Sequence, residues 1–184
     1  MKVFINPGHA LGGNPDPGAV NGALGIRECD IAMTVGSLAA NFLSLAGYEV
    51  NLLQSDNLMG EASGPNVTAM ANAWEADVFV SLHCNAGNPG ARGAETFCWE
   101  RGGPGERLAR SLQQSVWETL AALDGAFPDR GVKVRKDLCV LRMTRMPAAL
   151  LELAFLTDER DARLLMEHGC RLGKAVAEGV MGFR

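Results

Sequence analysis

Short apolar runs alternate along the chain with longer stretches in which apolar residues recur every three or four positions. The short runs are apolar almost throughout, which is typical of strands covered on both faces. They predict six strands, over residues 2–6, 48–53, 77–82, 93–99, 138–142 and 149–155. Strands that alternate with helical segments indicate an α/β fold.

The longer stretches predict four helices, over residues 28–46, 66–75, 105–123 and 159–181. In the third of them, Leu108, Leu112 and Val116 follow one another at intervals of four and therefore share one helix face. Asp158 is well placed to cap the last helix. No repeat or linker divides the sequence. We therefore predict a single domain over residues 1–184, with a twisted, mostly parallel or mixed sheet of about six strands and helices on both faces.

Composition and charge narrow the class of protein. Hydrophobic residues make up 47% of the chain and charged residues 21%, a balance that argues against disorder. The net charge of −4 excludes a protein that is basic overall, so we expect no binding of nucleic acid. No apolar run approaches the length of a bilayer span, so we expect no membrane insertion. The sequence leaves the oligomeric state open.

The N-terminal residues and the cysteine spacing indicate the cellular compartment in which the chain is made and folds. The opening residues MKVFINPGH enter a strand directly and contain no classical secretory signal. The five cysteines are scattered and never spaced as CxxC, which favours folding in a reducing compartment over a disulfide framework. We therefore expect the chain to be made in the cytoplasm.

One stretch is much more basic than the rest of the chain. Residues 130–145 contain six lysines and arginines and one acid, Asp137. The stretch is either a solvated loop and strand edge or a patch that attracts an anionic substrate. The sequence alone does not separate these two interpretations.

Four polar residues interrupt the apolar pattern at informative places. His9 and His83 follow the first and third predicted strands, and Glu28 opens the first helix. Glu152 lies inside ALLELAF, where an ionised carboxylate costs several kcal/mol unless it is paired, metal-associated or protonated. Strand direction should gather His9, His83 and Glu152 at one sheet edge. The long Gly/Pro-rich loop over 6–25 can bring Glu28 to them.

These residue types suit a catalytic zinc site. Two imidazoles and a carboxylate form a known ligand set that keeps one position for water, and a further carboxylate can serve as general base. No HExxH motif is present, so this hypothesis rests on long-range spacing. Ordinary structural roles remain as alternatives: a solvated His9, a helix-dipole role for Glu28, and a strand-capping His83. Glu152 would then be an ion-pair partner, and we interpret His168 as a packed helical histidine.

Several segments carry a family resemblance. INPGHALGGNPDPGA resembles the opening of the zinc-dependent N-acetylmuramoyl-L-alanine amidases, where the first strand leads into a pattern close to DPGHGGxDPGA. The segments ADVFVSLHCNAG, RGAETFCW and LCVLRMTRMPAALLELAFLTD are similar to later parts of that family. Their order and spacing match over nearly the whole chain, so the resemblance is more specific than any single motif.

The resemblance implies a peptidoglycan hydrolase that cleaves the amide bond between N-acetylmuramic acid and L-alanine. It implies that His9, Glu28 and His83 bind one zinc ion per chain and that Glu152 is the catalytic glutamate. A zinc peptidase acting on stem peptides and a catalytically silent wall-binding module are the alternatives. Cys84 as a thiol nucleophile beside His83 is disfavoured, because strand alternation points neighbouring residues to opposite faces.

The resemblance also bears on setting and regulation. We expect the protein to act on the cell wall as a phage or prophage lysin, and a cytosolic recycling enzyme or the catalytic fragment of a secreted protein also fits. Cell-division members of the family carry an inserted helix that covers the zinc after the fourth strand. Here CWERGGPGERLARSL runs from that strand directly into a helix. The sequence therefore predicts an open site.

Overall fold

The computed structural model describes residues 1–62 and 64–183, and its strands and helices run from Lys2 to Gly182. The strands are β1 Lys2–Pro7, β2 Val20–Asn21, β3 Ile26–Arg27, β4 Glu49–Leu52, β5 Val78–Asn85, β6 Ala94–Cys98, β7 Asp129–Val134 and β8 Ala148–Phe155. The helices are α1 Glu28–Leu45, α2 Val67–Ala73, α3 Pro104–Leu123, α4 Cys139–Met143, α5 Glu159–Glu167 and α6 Gly169–Gly182. They form one α/β domain. Residues 63 and 184 of the predicted span lie outside the described residues.

Six strands form one mixed sheet in the order β4-β1-β5-β8-β6-β7. Strand β1 pairs in parallel with β4 and β5, and the β5–β8 and β6–β7 pairs are also parallel. The β6–β8 pair is antiparallel. Strands β2 and β3 form a small separate hairpin before α1. The prediction of a mostly parallel or mixed sheet of about six strands is confirmed.

Helices lie on both faces of the sheet, as predicted. Helices α1, α3 and α6 cover one face over the larger apolar cluster, which includes Val80 and Leu151. On the other face, α2 and α4 cover a smaller cluster that includes Phe4, Phe79 and Leu150. Among the described residues, no helix is both long and apolar enough to span a bilayer.

Side-chain alternation decides which face carries the polar residues. Both chain neighbours of His83 and both of Glu152 belong to the larger cluster. His83 and Glu152 therefore project from the opposite face, and they lie side by side because the β5–β8 register pairs them. Phe79 and Leu150 lie earlier on the same strands and belong to the smaller cluster. His83 and Glu152 therefore lie beyond the carboxyl-side end of that cluster.

The predicted strand over 138–142 is wrong, because Cys139–Met143 form helix α4. A short apolar run does not distinguish a buried strand from a buried helix, and Val140 and Leu141 pack into the smaller cluster as helical residues. The sixth strand is β7 instead, which the apolar pattern missed. Strand β7 lies at the sheet edge and carries charged residues, as edge strands commonly do.

The predicted helix over 159–181 is two helices, α5 and α6, which meet at His168 with φ −120° and ψ 27°. His168 therefore lies at a helix junction and does not continue one helical row, which corrects its interpretation as a packed helical residue. The cap at Asp158 is confirmed, since its carboxylate accepts from the amides of Arg160 and Asp161. The remaining predicted strands and helices are observed, with ends shifted by three residues or fewer.

Candidate metal centre and active site

Three side chains that are distant in sequence converge at the carboxyl end of the sheet. His9 lies in the loop after β1, Glu28 is the first residue of α1, and His83 lies near the end of β5. Each offers one ligand atom, and these atoms all lie within 4.8 Å of one another. The fold therefore brings His9, Glu28 and His83 together, as the sequence analysis predicted.

Glu28 is the centre of this group. Its Oε1 lies 2.9 Å from Nε2 of His9 and 2.9 Å from Nδ1 of His83, and it accepts the amide of Cys84 at 2.9 Å. Its Oε2 accepts the amide of Ala19 at 2.8 Å. Burial opposes ionisation, but the hydrogen bonds to the two imidazoles outweigh burial and hold the pKa of Glu28 well below its usual value. A buried anion therefore lies between two imidazoles.

A second carboxylate orients His9. Nδ1 of His9 lies 2.7 Å from Asp16 Oδ2, which leaves Nε2 facing Glu28. Burial disfavours the imidazolium, but Glu28 and Asp16 together outweigh it and raise the pKa of His9 to about 9. His9 has φ +68°, a conformation that few non-glycine residues adopt. The sequence analysis missed Asp16, although a carboxylate in the same loop as a candidate ligand was a usable signal.

Glu152 lies beside this group, because the β5–β8 register pairs it with His83. Its Oε2 is buried and has no hydrogen-bond partner among residues 1–62 and 64–183, which argues against a structural ion pair with an arginine. Burial is the largest cause that raises the pKa of Glu152 to about 7. A carboxyl group with this pKa can both accept and donate a proton near neutral pH.

The donor set fits a divalent metal ion. Nε2 of His9 and Nδ1 of His83 are the ring nitrogens that face Glu28, and two imidazole nitrogens with one carboxylate oxygen form a ligand set that catalytic zinc sites use. The buried negative charge of Glu28 attracts a cation to this position. The group can therefore hold a metal ion, and His168 lies outside it.

Known proteins match this chain along most of its length. A family model described as N-acetylmuramoyl-L-alanine amidase matches residues 3–181. The chain belongs to the N-acetylmuramoyl-L-alanine amidase family. The structure of the amidase AmiC2 of Nostoc punctiforme has a TM-score of 0.81 and 25% identity, and the match covers 98% of this chain and 95% of that one.

Two curated relatives of this family member extend the comparison. The sporulation-specific N-acetylmuramoyl-L-alanine amidase of Bacillus subtilis is 36% identical over 166 residues, which cover 90% of this chain and 60% of the relative. The endolysin of Bacillus phage SPP1 is 33% identical over 168 residues, which cover 89% of this chain and 58% of the relative. The chain thus spans about three fifths of the length of these two relatives.

Gln54 connects the loop that carries His9 to the start of helix α1 in this amidase-family site. Its side-chain amide donates to the backbone carbonyl of Gly8 at 3.0 Å and to that of Cys29 at 2.8 Å. These bonds fix the loop that carries His9 to the first turn of α1, which carries Glu28. The sequence analysis missed this role, although a polar residue directly after the second predicted strand was a usable signal.

Cys84 does not share the site with His83. Its side chain is buried in the larger apolar cluster, on the sheet face opposite His83. Burial raises the pKa of the Cys84 thiol well above its ordinary value. The thiol is therefore protonated and inaccessible at neutral pH, which agrees with the argument from strand alternation.

We expect Gly8→Ala to weaken metal binding at least tenfold, the scale of changes to the groups that orient metal ligands. A Cβ at Gly8 would lie 2.3 Å from Cε1 of His83, so the imidazole must move. Gly22→Ala is the matched control, because a Cβ there meets no atom within 4 Å. Titration of both metal-free variants with zinc checks the expectation. Equal affinities for the two variants would contradict it.

Proposed function

We propose that this chain is a zinc-dependent hydrolase that cleaves the amide bond between the lactyl group of N-acetylmuramic acid and L-alanine in peptidoglycan. In this proposal His9, Glu28 and His83 hold one zinc ion and Glu152 is the catalytic residue. The observation that carries the proposal is the convergence of the three donors beside Glu152, whose buried Oε2 has no hydrogen-bond partner among the described residues. Family membership supports the reaction class.

The proposed chemistry divides between the metal and Glu152. A bound zinc ion supplies Lewis acidity to the scissile carbonyl and to the attacking water. Glu152 accepts the proton of that water and then donates it to the departing amine of L-alanine. Its pKa of about 7 suits both transfers at neutral pH. Asp16 and Gln54 support the reaction by fixing His9 and the loop that carries it.

The products of digestion distinguish this reaction from its alternatives. An N-acetylmuramoyl-L-alanine amidase frees the amino group of L-alanine and leaves the lactyl carboxylate on the glycan. A zinc peptidase would free amino groups farther along the stem peptide, and a silent wall-binding module would free none. Mass spectrometry of peptidoglycan digested by the zinc-loaded protein therefore tests the proposal, and stem-peptide cleavage with an intact lactyl amide would overturn it.

We expect the purified, zinc-loaded chain to digest peptidoglycan without a partner protein. Strand β6 ends at Cys98 and α3 begins at Pro104, so the five connecting residues contain no helix that could cover the donors. Release of soluble muropeptides by the chain alone checks this expectation, with Glu152→Gln protein as the inactive control. Digestion that occurs only after a second protein is added would contradict it.

The proposed amidase activity also indicates where the protein would act. We place the action of the protein on the cell wall after synthesis in the cytoplasm, as a phage or prophage lysin or as the catalytic part of a secreted protein. The similarity to a phage endolysin supports the lysin setting.

A further inference from the structure

Lys133 projects from the same face of the sheet as Glu152. It lies in β7 between Val132 and Val134, and both valines pack against the larger apolar cluster. Alternation along the strand therefore turns Lys133 toward the opposite face. In the order β5-β8-β6-β7, that face carries Glu152 two strands away from Lys133 and His83 three strands away.

Glu95 fills the position between Lys133 and Glu152. The antiparallel β6–β8 register places Glu95 directly opposite Glu152. Ala94 belongs to the larger cluster and Thr96 bonds Gln113 of α3, so the side chain of Glu95 also projects from the face of Glu152. Glu95 is thus a buried acid on this face, one strand from Glu152.

A network of cations and an amide holds Glu95. Its Oε2 accepts from Nζ of Lys133 and lies 3.3 Å from Nε of Arg130, and its Oε1 accepts from the side-chain amide of Asn85. Burial alone would raise the pKa of Glu95, but Lys133, Arg130 and Asn85 outweigh burial and lower it. Two cations therefore share one carboxylate, which leaves an excess of one positive charge within this group of three side chains.

Lys133 and its partner Glu95 differ in exposure, and this difference shows how the ammonium is oriented. The side chain of Glu95 is 7% exposed and that of Lys133 is 43% exposed. The ammonium is therefore anchored from beneath while it stays accessible from solution. Arg135, in the same basic stretch, differs because its partner Asp137 is itself exposed. A solvated edge lysine would need no buried anion, so the structure favours the substrate-patch interpretation for Lys133.

The distance to Glu152 identifies the group that Lys133 can reach. Neighbouring strands lie about 4.8 Å apart, so an ammonium bound at Glu95 lies roughly 5–10 Å from Glu152. An extended peptide covers about 3.3–3.6 Å per residue. An ammonium at this distance can reach a group about one to three residues beyond the amide on which Glu152 would act. In a peptidoglycan stem peptide, the second residue carries either a free α-carboxylate, as D-isoglutamate, or its amide, as D-isoglutamine.

We propose that Lys133, positioned by Glu95, binds the free carboxylate of the second stem-peptide residue and makes the enzyme prefer D-isoglutamate to D-isoglutamine muropeptides. This inference rests on the proposed amidase function. The charge-assisted hydrogen bond should exist already in the ground state, so the preference should act mainly through KM. Added salt should weaken the preference, because the ammonium is partly exposed.

Two muropeptides that differ only in this carboxylate and its amide provide the test. We expect wild-type kcat/KM to be about tenfold higher for the carboxylate, the scale of a partly exposed charge-assisted hydrogen bond. Lys133→Met should bring the ratio of the two kcat/KM values close to one, and Lys133→Arg should restore part of it. Lys174→Met is the matched control, since Lys174 lies on α6 over the other face, and it should keep the wild-type ratio.

The outcomes separate this inference from the function on which it rests. Equal cleavage of the two muropeptides by the wild type would overturn the inference and leave the amidase function standing. A wild-type ratio that Lys133→Met does not change would do the same. Cleavage of neither muropeptide, by protein that is folded and loaded with zinc, would overturn the amidase function and this inference with it.

Discussion

Replacing Glu152 by glutamine is expected to lower kcat by about 10²–10⁴-fold, the usual contribution of a general acid–base group. The amide keeps the size of the carboxylate, so packing between Leu151 and Leu153 should persist. It cannot accept a proton at neutral pH, so the attacking water loses its base and the leaving amine its acid. Zinc should stay bound, because Glu152 lies outside the group of three donors. Kinetics and zinc stoichiometry on one preparation measure both effects.

The stability of the same variant provides an independent check. Burial raises the pKa of Glu152 from 4.5 to about 7, so the protonated group contributes stability that is present below pH 4.5 and lost as the pH rises through 7. At pH 8 the metal-free wild type must bury an ionised carboxylate. We therefore expect metal-free Glu152→Gln to melt at the same or a higher temperature at pH 8.

Glu178→Gln on α6 serves as the control for both measurements, since its side chain is exposed and α6 packs over the sheet face opposite Glu152. It should keep wild-type kcat. If Glu152 were a structural ion-pair partner, Glu152→Gln would melt at a lower temperature and its folded fraction would stay active. A folded, zinc-loaded and fully active Glu152→Gln protein would refute the mechanism.

Removing either histidine of the donor group is expected to abolish stoichiometric zinc binding and to reduce activity below about one hundredth of wild type. Changes to the groups that merely orient metal ligands already cost roughly 10–100-fold, so loss of a ligand should cost more. The fold should survive His9→Ala and His83→Ala, because both side chains are partly exposed and neither belongs to an apolar cluster. Zinc analysis, circular dichroism and peptidoglycan digestion measure the three properties.

His168→Ala is the matched control for these substitutions. His168 lies at the junction of α5 and α6 and outside the donor group, so its variant should keep full zinc content and activity. Full zinc content in His9→Ala or His83→Ala would show that the metal binds elsewhere. Loss of folding in both variants would show instead that the group is structural.

The strand pattern was predictable where strands are buried on both faces. β1, β5 and β8 are apolar runs at the centre of the sheet, and their bounds follow from the sequence within three residues. The edge strand β7 was missed because one of its faces is polar and bears Lys133. The prediction of a strand over 138–142 was wrong because the run is short. Its apolar residues fit both the two-residue repeat of a strand and the 3.6-residue repeat of a helix.

The candidate site was predictable for a related reason. His83 and Glu152 stand out because each interrupts an apolar strand, and the parallel direction of those strands brings their ends together. His9 and Glu28 were found from their places after a strand and at a helix start. Asp16, Gln54 and Glu95 were not found, because their roles depend on hydrogen bonds between segments that only folding brings together.

The sequence by itself determined the α/β class, the family resemblance and the four residues proposed for the reaction. These depend on periodicity, on order along the chain and on the cost of placing charge in apolar strands, all of which are local or sequential properties. Only the tertiary structure decided that Glu28 lies between the two imidazoles, that Oε2 of Glu152 is buried without a hydrogen-bond partner in the described part of the chain, and that Glu95 anchors Lys133. Those facts depend on register and side-chain direction, which long-range packing sets.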